Sequence, residues 1–273
     1  MSKVILITGA SSGIGKVTAS RLIDDGYVVY CGARRVEEMN DLKKKGGKVV
    51  TLDVTDQKSI ERVIAQINKE NQKIDVLVNN AGFGLYGAVE DIDLNDARYQ
   101  FEVNLFGVAA LTKAVLPIMR KQRSGTIINI SSMGGKMFTP LGAWYHSTKY
   151  AMEGWSDCLR LELKQFGINV VIVEPGIIKT AFGKVAGQPI LDNSGKGPYK
   201  NMAKAMANSV NKSYRSDGKG SNPEEVYKTI LKIIKSDRPR TRYVVGYLAR
   251  PLILARKYLS DRMFDRIVLS QVK

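Results

Sequence analysis

The sequence predicts a doubly wound α/β fold: one parallel sheet of about seven strands with helices on both faces. Three observations carry that prediction. Short β-branched runs alternate with helical patterns from the first residues onward, as successive βαβ units do. Several runs are nearly continuous in Val, Ile and Leu, as strands covered on both faces are. The 273 residues, 44% hydrophobic and 25% charged, suit one large globular domain better than two small ones, so 1–273 is read as a single domain.

The first expected strand is Val4–Thr8. It has no basic start and runs straight into glycines without a cleavage site, so it reads as a strand and not as a signal peptide. Val28–Ala33, Lys48–Leu52, Val76–Asn79, Thr126–Ile130 and Asn169–Val173 follow, with helical patterns between them. No apolar stretch reads as long enough to span a bilayer. After Pro175-Gly176 the pattern loosens. Residues 183–222 are rich in Gly, Asn, Ser and Lys around one short helix, Met202–Val210, and are expected to form a substrate-binding lid. Order resumes at Asn222-Pro223-Glu224-Glu225, where Asn222 can cap a helix and Pro223 suits its first position. Residues 223–273 read as a basic helical extension of the same domain that includes a seventh strand, Arg242–Gly246.

Charge is unevenly placed. The formal net charge is +16; residues 1–183 hold 23 basic and 19 acidic side chains, and residues 184–273 hold 19 and 7. Electrostatic function is therefore sought in the last third. No basic stripe interleaved with aromatics supports nucleic-acid binding. Cys31 and Cys158 make no metal-ligand or redox spacing, so no metal is expected. They read as buried thiols in a reducing cytosol, which places the protein in the cytoplasm.

The first strand leads into Thr8-Gly9-Ala10-Ser11-Ser12-Gly13-Ile14-Gly15 and then a helical pattern. A strand, a glycine-rich turn and a helix start form a pyrophosphate cradle, because glycines let backbone approach the phosphates and free N–H groups bind negative charge. The turn assigns Gly9, Ser11, Ser12, Gly13, Ile14 and Gly15 to a dinucleotide. At the end of the second strand an acid would bind the ribose 2′-hydroxyl of NAD, and an arginine would accommodate the 2′-phosphate of NADP. The chain has Ala33-Arg34-Arg35 there, which favours NADP(H).

The spacing TGxxxGxG resembles the short-chain dehydrogenase/reductase family in its shorter single-domain branch, which has a Rossmann-type sheet. That resemblance places the phosphate contact at Arg34 before Arg35, and Asp53 and Val54 near the adenine. Asn79-Asn80-Ala81-Gly82 matches the family's NNAG element, which puts Asn80, Ala81 and Gly82 beside the cofactor. Pro175, Gly176, Ile178 and Thr180 match its PGxxxT element, where Ile178 and Thr180 meet the nicotinamide carboxamide.

Tyr145-His146-Ser147-Thr148-Lys149 carries the family's Tyr-x-x-x-Lys pattern at the start of a helix, and four residues apart puts both side chains on one face. A phenol with a pKa near about 10 is a poor proton relay at neutral pH, and a neighbouring ammonium favours its phenolate. The resemblance adds Ser132, thirteen residues earlier, as the hydroxyl that binds the substrate oxygen. It also adds Asn104, whose backbone holds a water linked to Lys149. It thus implies that Tyr145 is the acid or base, that Ser132 stabilises the oxygen, and that Lys149 tunes Tyr145 and binds the cofactor's ribose. His146, the sole histidine, is expected to be satisfied or exposed and to play no part.

Motif style resembles hydroxysteroid and retinol dehydrogenase-like members. With Phe83, Leu85, Tyr86 and Met133 as pocket residues, a hydrophobic ketone or aldehyde such as a steroid, retinoid or acyl-lipid is expected, with a small polar or xenobiotic carbonyl as the alternative substrate. The other reading is a NADPH-binding regulatory protein without catalysis. Partners expected are a small carbonyl or alcohol and further copies of the chain, as homodimer or homotetramer. Leu252, Ala255, Leu259, Met263 and Ile267 recur at helical spacing with Arg256, Lys257, Arg262 and Arg266 between them. Such a helix fits packing on its own domain, a second subunit or weak contact with a membrane surface.

Overall fold

The computed structural model describes residues 2–180, 182–214 and 217–270. In chain order its elements begin β1 (Val4–Thr8), α1 (Gly13–Asp24), β2 (Val28–Ala33), α2 (Asn40–Lys44), β3 (Lys48–Thr51), α3 (Gln57–Asn71) and β4 (Val76–Asn79). They continue with α4 (Leu94–Phe101), α5 (Gly107–Gln122), β5 (Gly125–Ile130), α6 (Ala143–Leu163) and β6 (Ile168–Pro175). The last are α7 (Phe182–Ser194), α8 (Lys200–Tyr214), α9 (Pro223–Lys235), β7 (Arg242–Val245), α10 (Ala249–Tyr258) and α11 (Asp261–Leu269).

The seven strands form one parallel sheet in the order β3-β2-β1-β4-β5-β6-β7. Alternate residues of each strand point to opposite faces, and both faces are covered. Ile5 and Ile7 of β1 pack with Ala19 and Leu22 of α1 and with Val226, Ile230 and Ile233 of α9. Val4 and Leu6, one residue out of phase, pack with Ile60 and Val63 of α3, Leu111 and Val115 of α5, and Leu159 of α6. This two-sided burial is why the strands read as unbroken apolar runs.

Helix α9 starts as expected. Asn222 accepts a hydrogen bond from the Glu224 N–H at 3.0 Å, and Pro223 opens the helix. Strand order reverses between β1 and β4, which opens a crevice at their carboxyl ends, the usual place for a ligand in such a sheet.

Four expectations change. Residues 183–222 are mostly helical, because Ala203, Met206 and Ala207 bury one face of α8; the glycines and Pro189 of α7 disguised the other helix. The C-terminal stripe is not one helix. Leu259 turns to extended backbone and Ser260 starts α11, so Phe264 and Val268 are buried while Met263 and Ile267 are exposed. Cys158 is exposed on α6; only Cys31 is buried. The helical run Leu94–Gln122 is long and apolar enough by length and composition to cross a bilayer, but Leu111, Val115 and Met119 in it pack on the sheet.

Candidate active site

A cleft of about 510 Å³ opens at the carboxyl ends of the strands. Gly9, Ser11, Ser12, Gly13, Ile14, Arg34, Arg35, Asp53, Val54, Asn80, Ala81, Gly82, Ser132, Tyr145, Lys149, Pro175, Gly176, Ile178 and Thr180 all line it. Gly15 and Asn104 do not line it. A Cβ on Gly15 would collide with the Gly9 carbonyl oxygen, so this glycine lets α1 sit against the turn.

The turn fits a pyrophosphate. Ser12 occupies the N-cap of α1 without a side-chain bond to it, and no acidic residue sits in the first turn. The helix-start N–H groups are thus left for an anion, and Gly13 and Ile14 bring them to the cleft wall. Gly9 and Gly13 adopt φ of 68° and 56°, a region that favours glycine. Thr8 ties this turn to the next strand. Its Oγ1 accepts hydrogen bonds from the N–H groups of Asn80 and Ala81, both at 2.9 Å, and the Asn80 amide donates to the Thr8 carbonyl at 2.9 Å. Asn79 points the other way, donating to Asn129 at 2.9 Å within the core.

The two arginines at the end of β2 differ. Arg34 is exposed, and its Nη1 donates to the Tyr99 hydroxyl at 2.9 Å, which holds the guanidinium at the cleft. Arg35 pairs with Glu38 at 3.0 Å. Asp53 fastens the turn after β3, accepting from the Thr55 N–H at 2.9 Å and hydroxyl at 2.8 Å.

Ser132, Tyr145 and Lys149 meet at the inner end. Ser132 follows β5, and its Oγ accepts from the Gly134 N–H at 3.0 Å. Tyr145 opens α6 and is almost fully buried; burial pushes its phenol up and a hydrogen bond with Ser132 pulls it down. Lys149 Nζ donates to the Ile130 carbonyl at 2.9 Å, and burial brings its pKa down to about 8 against the opposing charge of Glu153. Burial outweighs the Ser132 hydrogen bond, so the Tyr145 phenol stays above its ordinary value. The ammonium is directed to the end of β5.

Asn104 is fully buried in a π-turn, Glu102–Phe106, between α4 and α5. Its side chain accepts from the Phe83 N–H at 3.0 Å and donates to the Phe83 carbonyl at 2.9 Å and to Thr148 at 3.1 Å. Asn104 therefore joins the loop after β4 to the helix of Tyr145. His146 is buried and satisfied. Nε2 accepts from the Thr139 N–H at 3.1 Å, so Nδ1 carries the proton and donates to the Gly134 carbonyl at 2.9 Å.

Phe83 lines the cleft, and the Tyr86 ring lies 5.3 Å from that of Tyr145. Met133 packs outside it with the C-terminal helices. Sequence reading missed Tyr99 and Tyr214, which also line the cleft. Neither lies in a recognisable pattern, since one follows from the hydrogen bond that brings Tyr99 of α4 to Arg34 and the other from the end of α8.

The family model described as short chain dehydrogenase matches residues 3–189. A relative from Bacteroides thetaiotaomicron named 3-ketodihydrosphingosine reductase is 38% identical over 96% of this chain and 95% of its own. One from Ornithobacterium rhinotracheale named NADPH-dependent 3-dehydrocapnine reductase is 31% identical over 98% of this chain and 96% of its own. The crystal structure of a short-chain dehydrogenase from Streptomyces avermitilis superposes with a TM-score of 0.83 at 33% identity, covering 99% of this chain and 96% of that one. The chain belongs to the short-chain dehydrogenase family, whose members are oxidoreductases of carbonyl and alcohol groups working with a nicotinamide dinucleotide.

Proposed function

We propose that this protein is an NADP(H)-dependent reductase of a hydrophobic ketone, and within that class of a long-chain lipid ketone. The observation that carries the reading is the pairing of Tyr145 with Ser132 at the inner end of a cleft whose outer end holds Arg34. Relatives named for 3-ketodihydrosphingosine and for NADPH-dependent 3-dehydrocapnine reduction support both the substrate class and the cofactor. Ala33 where an NAD-type acid would stand, with Arg34 next to it, supports a 2′-phosphate partner. Apolar side chains of Tyr86, Leu141, Ile190 and Met206 gathered around Tyr145 support an apolar substrate.

Mechanism follows from the chain's own groups. The nicotinamide, when bound, exchanges a hydride with the carbonyl carbon. Ser132 donates a hydrogen bond to the substrate oxygen, and Tyr145 gives its phenolic proton to that oxygen as negative charge develops. Lys149 supplies positive charge beside the ribose and the phenol, and the π-turn at Asn104 keeps the Lys149 side of α6 in register with the loop after β4. In the reverse direction Tyr145 acts as the base. We place the enzyme in the cytoplasm, as supported by the free thiols Cys31 and Cys158, and as a homodimer or homotetramer, as supported by exposed Phe106 and Leu161.

The test is a panel of steroid, retinoid and long-chain 3-keto lipid substrates, followed by NADPH and NADH absorbance. Consumption of NADPH at least ten times more efficient with the keto lipid than with the others is expected. Preference for NADH, or for small polar carbonyls, overturns the reading.

A further inference from the structure

Outside the cleft, the last two helices carry apolar and basic side chains that the fold does not use. Helix α11 buries Phe264 and Val268 against Met137, with Met133, Phe138, Leu252 and Ala255 packed around them. The neighbouring side, about 100° round the helix, carries Met263 and Ile267, four residues apart and 50% and 38% exposed. On α10, Leu254 and Tyr258 stand at the same spacing, 51% and 73% exposed. With Leu269 these make five of the eleven exposed large apolar side chains among the described residues, gathered within sixteen positions. Folding has already used the inward face, so burial in this domain does not account for the outward one.

Its charge says what would cover it. Arg262 and Arg266 flank Met263 and Ile267 one position earlier on α11, while Arg250 and Lys257 flank Leu254 and Tyr258; all four are exposed. Of the two acids here, Asp265 is half-buried and Asp261 is held by Arg256 at 2.8 Å, and the Arg256 guanidinium also lies over the rings of Phe138 and Phe264 at 5.3 and 5.8 Å. Arg256 is therefore part of the fold and not of the outward charge. Apolar side chains that protrude between basic ones match a bilayer with anionic headgroups, where the apolar groups enter the acyl boundary and long cations reach the phosphates.

We propose that α10 and α11 dock this protein on an anionic membrane surface through Leu254, Tyr258, Met263 and Ile267, with Arg250, Lys257, Arg262 and Arg266 on the headgroups. The same helices pack on residues 133–138, the segment that follows Ser132. A docked enzyme therefore holds that side of its cleft close to the lipid. Docking stands on this surface alone; only its use in delivering a lipid ketone rests on the function proposed above.

The experiment is sedimentation of the intact chain with phosphatidylcholine vesicles, with and without phosphatidylserine, at low and high salt and without substrate. Binding to the anionic vesicles at low salt, weakened at least tenfold by high salt, is expected. Met263→Ser with Ile267→Ser, and separately Arg262→Gln with Arg266→Gln, should each weaken it at least fivefold while turnover of a water-soluble ketone is kept. Intact protein left in the supernatant at low salt overturns the proposal, as does equal binding by both variants. A loss of oligomer mass in the Met263→Ser, Ile267→Ser variant also overturns it, assigning the face to a second copy. Turnover of soluble substrates is read apart from binding, so failure of the proposed function leaves this result intact.

Discussion

The carboxyl groups of Glu153 and Glu174 share the Arg242 guanidinium, whose Nε lies 3.1 Å from one and 3.4 Å from the other. Both carboxylates are almost fully buried, and Glu153 stands one helical turn beyond Lys149 on α6. Lys136 closes the group with a contact of 3.0 Å to Glu153. The cluster joins α6, β6 and β7 directly behind the cleft.

Removing Arg242 leaves two buried carboxylates with Lys136 as their main counter-charge. Arg242→Leu is expected to cost about 3–5 kcal/mol of stability. Urea unfolding checks it; a loss below about 1 kcal/mol would show that the acids are satisfied without the arginine.

Stability also depends on pH here. Burial, and then the charge of Glu153, pushes the Glu174 carboxyl up to about 7. A folded pKa above the unfolded one favours the fold in acid: the contribution is complete below the usual carboxylate range and is lost as pH rises through the folded value. Wild type should lose melting temperature between about pH 5 and pH 8 relative to Glu174→Gln. Parallel curves for the two proteins would count against a raised carboxyl.

His146 behaves in the opposite sense. Burial lowers its pKa, so its contribution is present above the ordinary histidine value and is lost as pH falls through the folded one. His146→Leu leaves the Thr139 N–H and the Gly134 carbonyl without that partner, at a cost of about 1–3 kcal/mol. Thermal melting at neutral pH checks it, with nicotinamide-cofactor affinity expected to stay within about twofold because the ring is outside the cleft wall.

Cofactor choice should follow Arg34. Ala33→Asp with Arg34→Ala removes the phosphate partner and adds a repelling charge, so the efficiency ratio of NADPH to NADH should fall at least about a hundredfold, the product of two charged contacts of roughly 1.5 kcal/mol each. An unchanged ratio would move the phosphate contact elsewhere, Arg35 first.

Much of this was legible because it is local. A glycine turn between a strand and a helix, and Tyr145 with Lys149 on one helical face, follow from spacing alone, and the βαβ alternation carries the sheet. What escaped depends on distant packing. Arg34 reaches Tyr99 across sixty-five positions, and the Glu153, Glu174 and Arg242 cluster assembles three separate elements. The C-terminal stripe failed for a different reason: an extended Leu259 resets the helical phase, so residues that share a spacing do not share a face. Composition misled at α7, where glycine and proline signalled a loop that neighbouring apolar contacts fold into a helix.

In the proposed reaction Tyr145 carries the proton. Tyr145→Phe keeps the ring that packs against Tyr86 but has no hydroxyl to offer Ser132 or a substrate. The decisive measurement is single-turnover reduction of a keto lipid by wild type and variant, with NADPH affinity measured separately by fluorescence. Turnover should fall by about a thousandfold while affinity stays within a few-fold. A variant that reduces the ketone within about tenfold of wild type would assign the proton to another group.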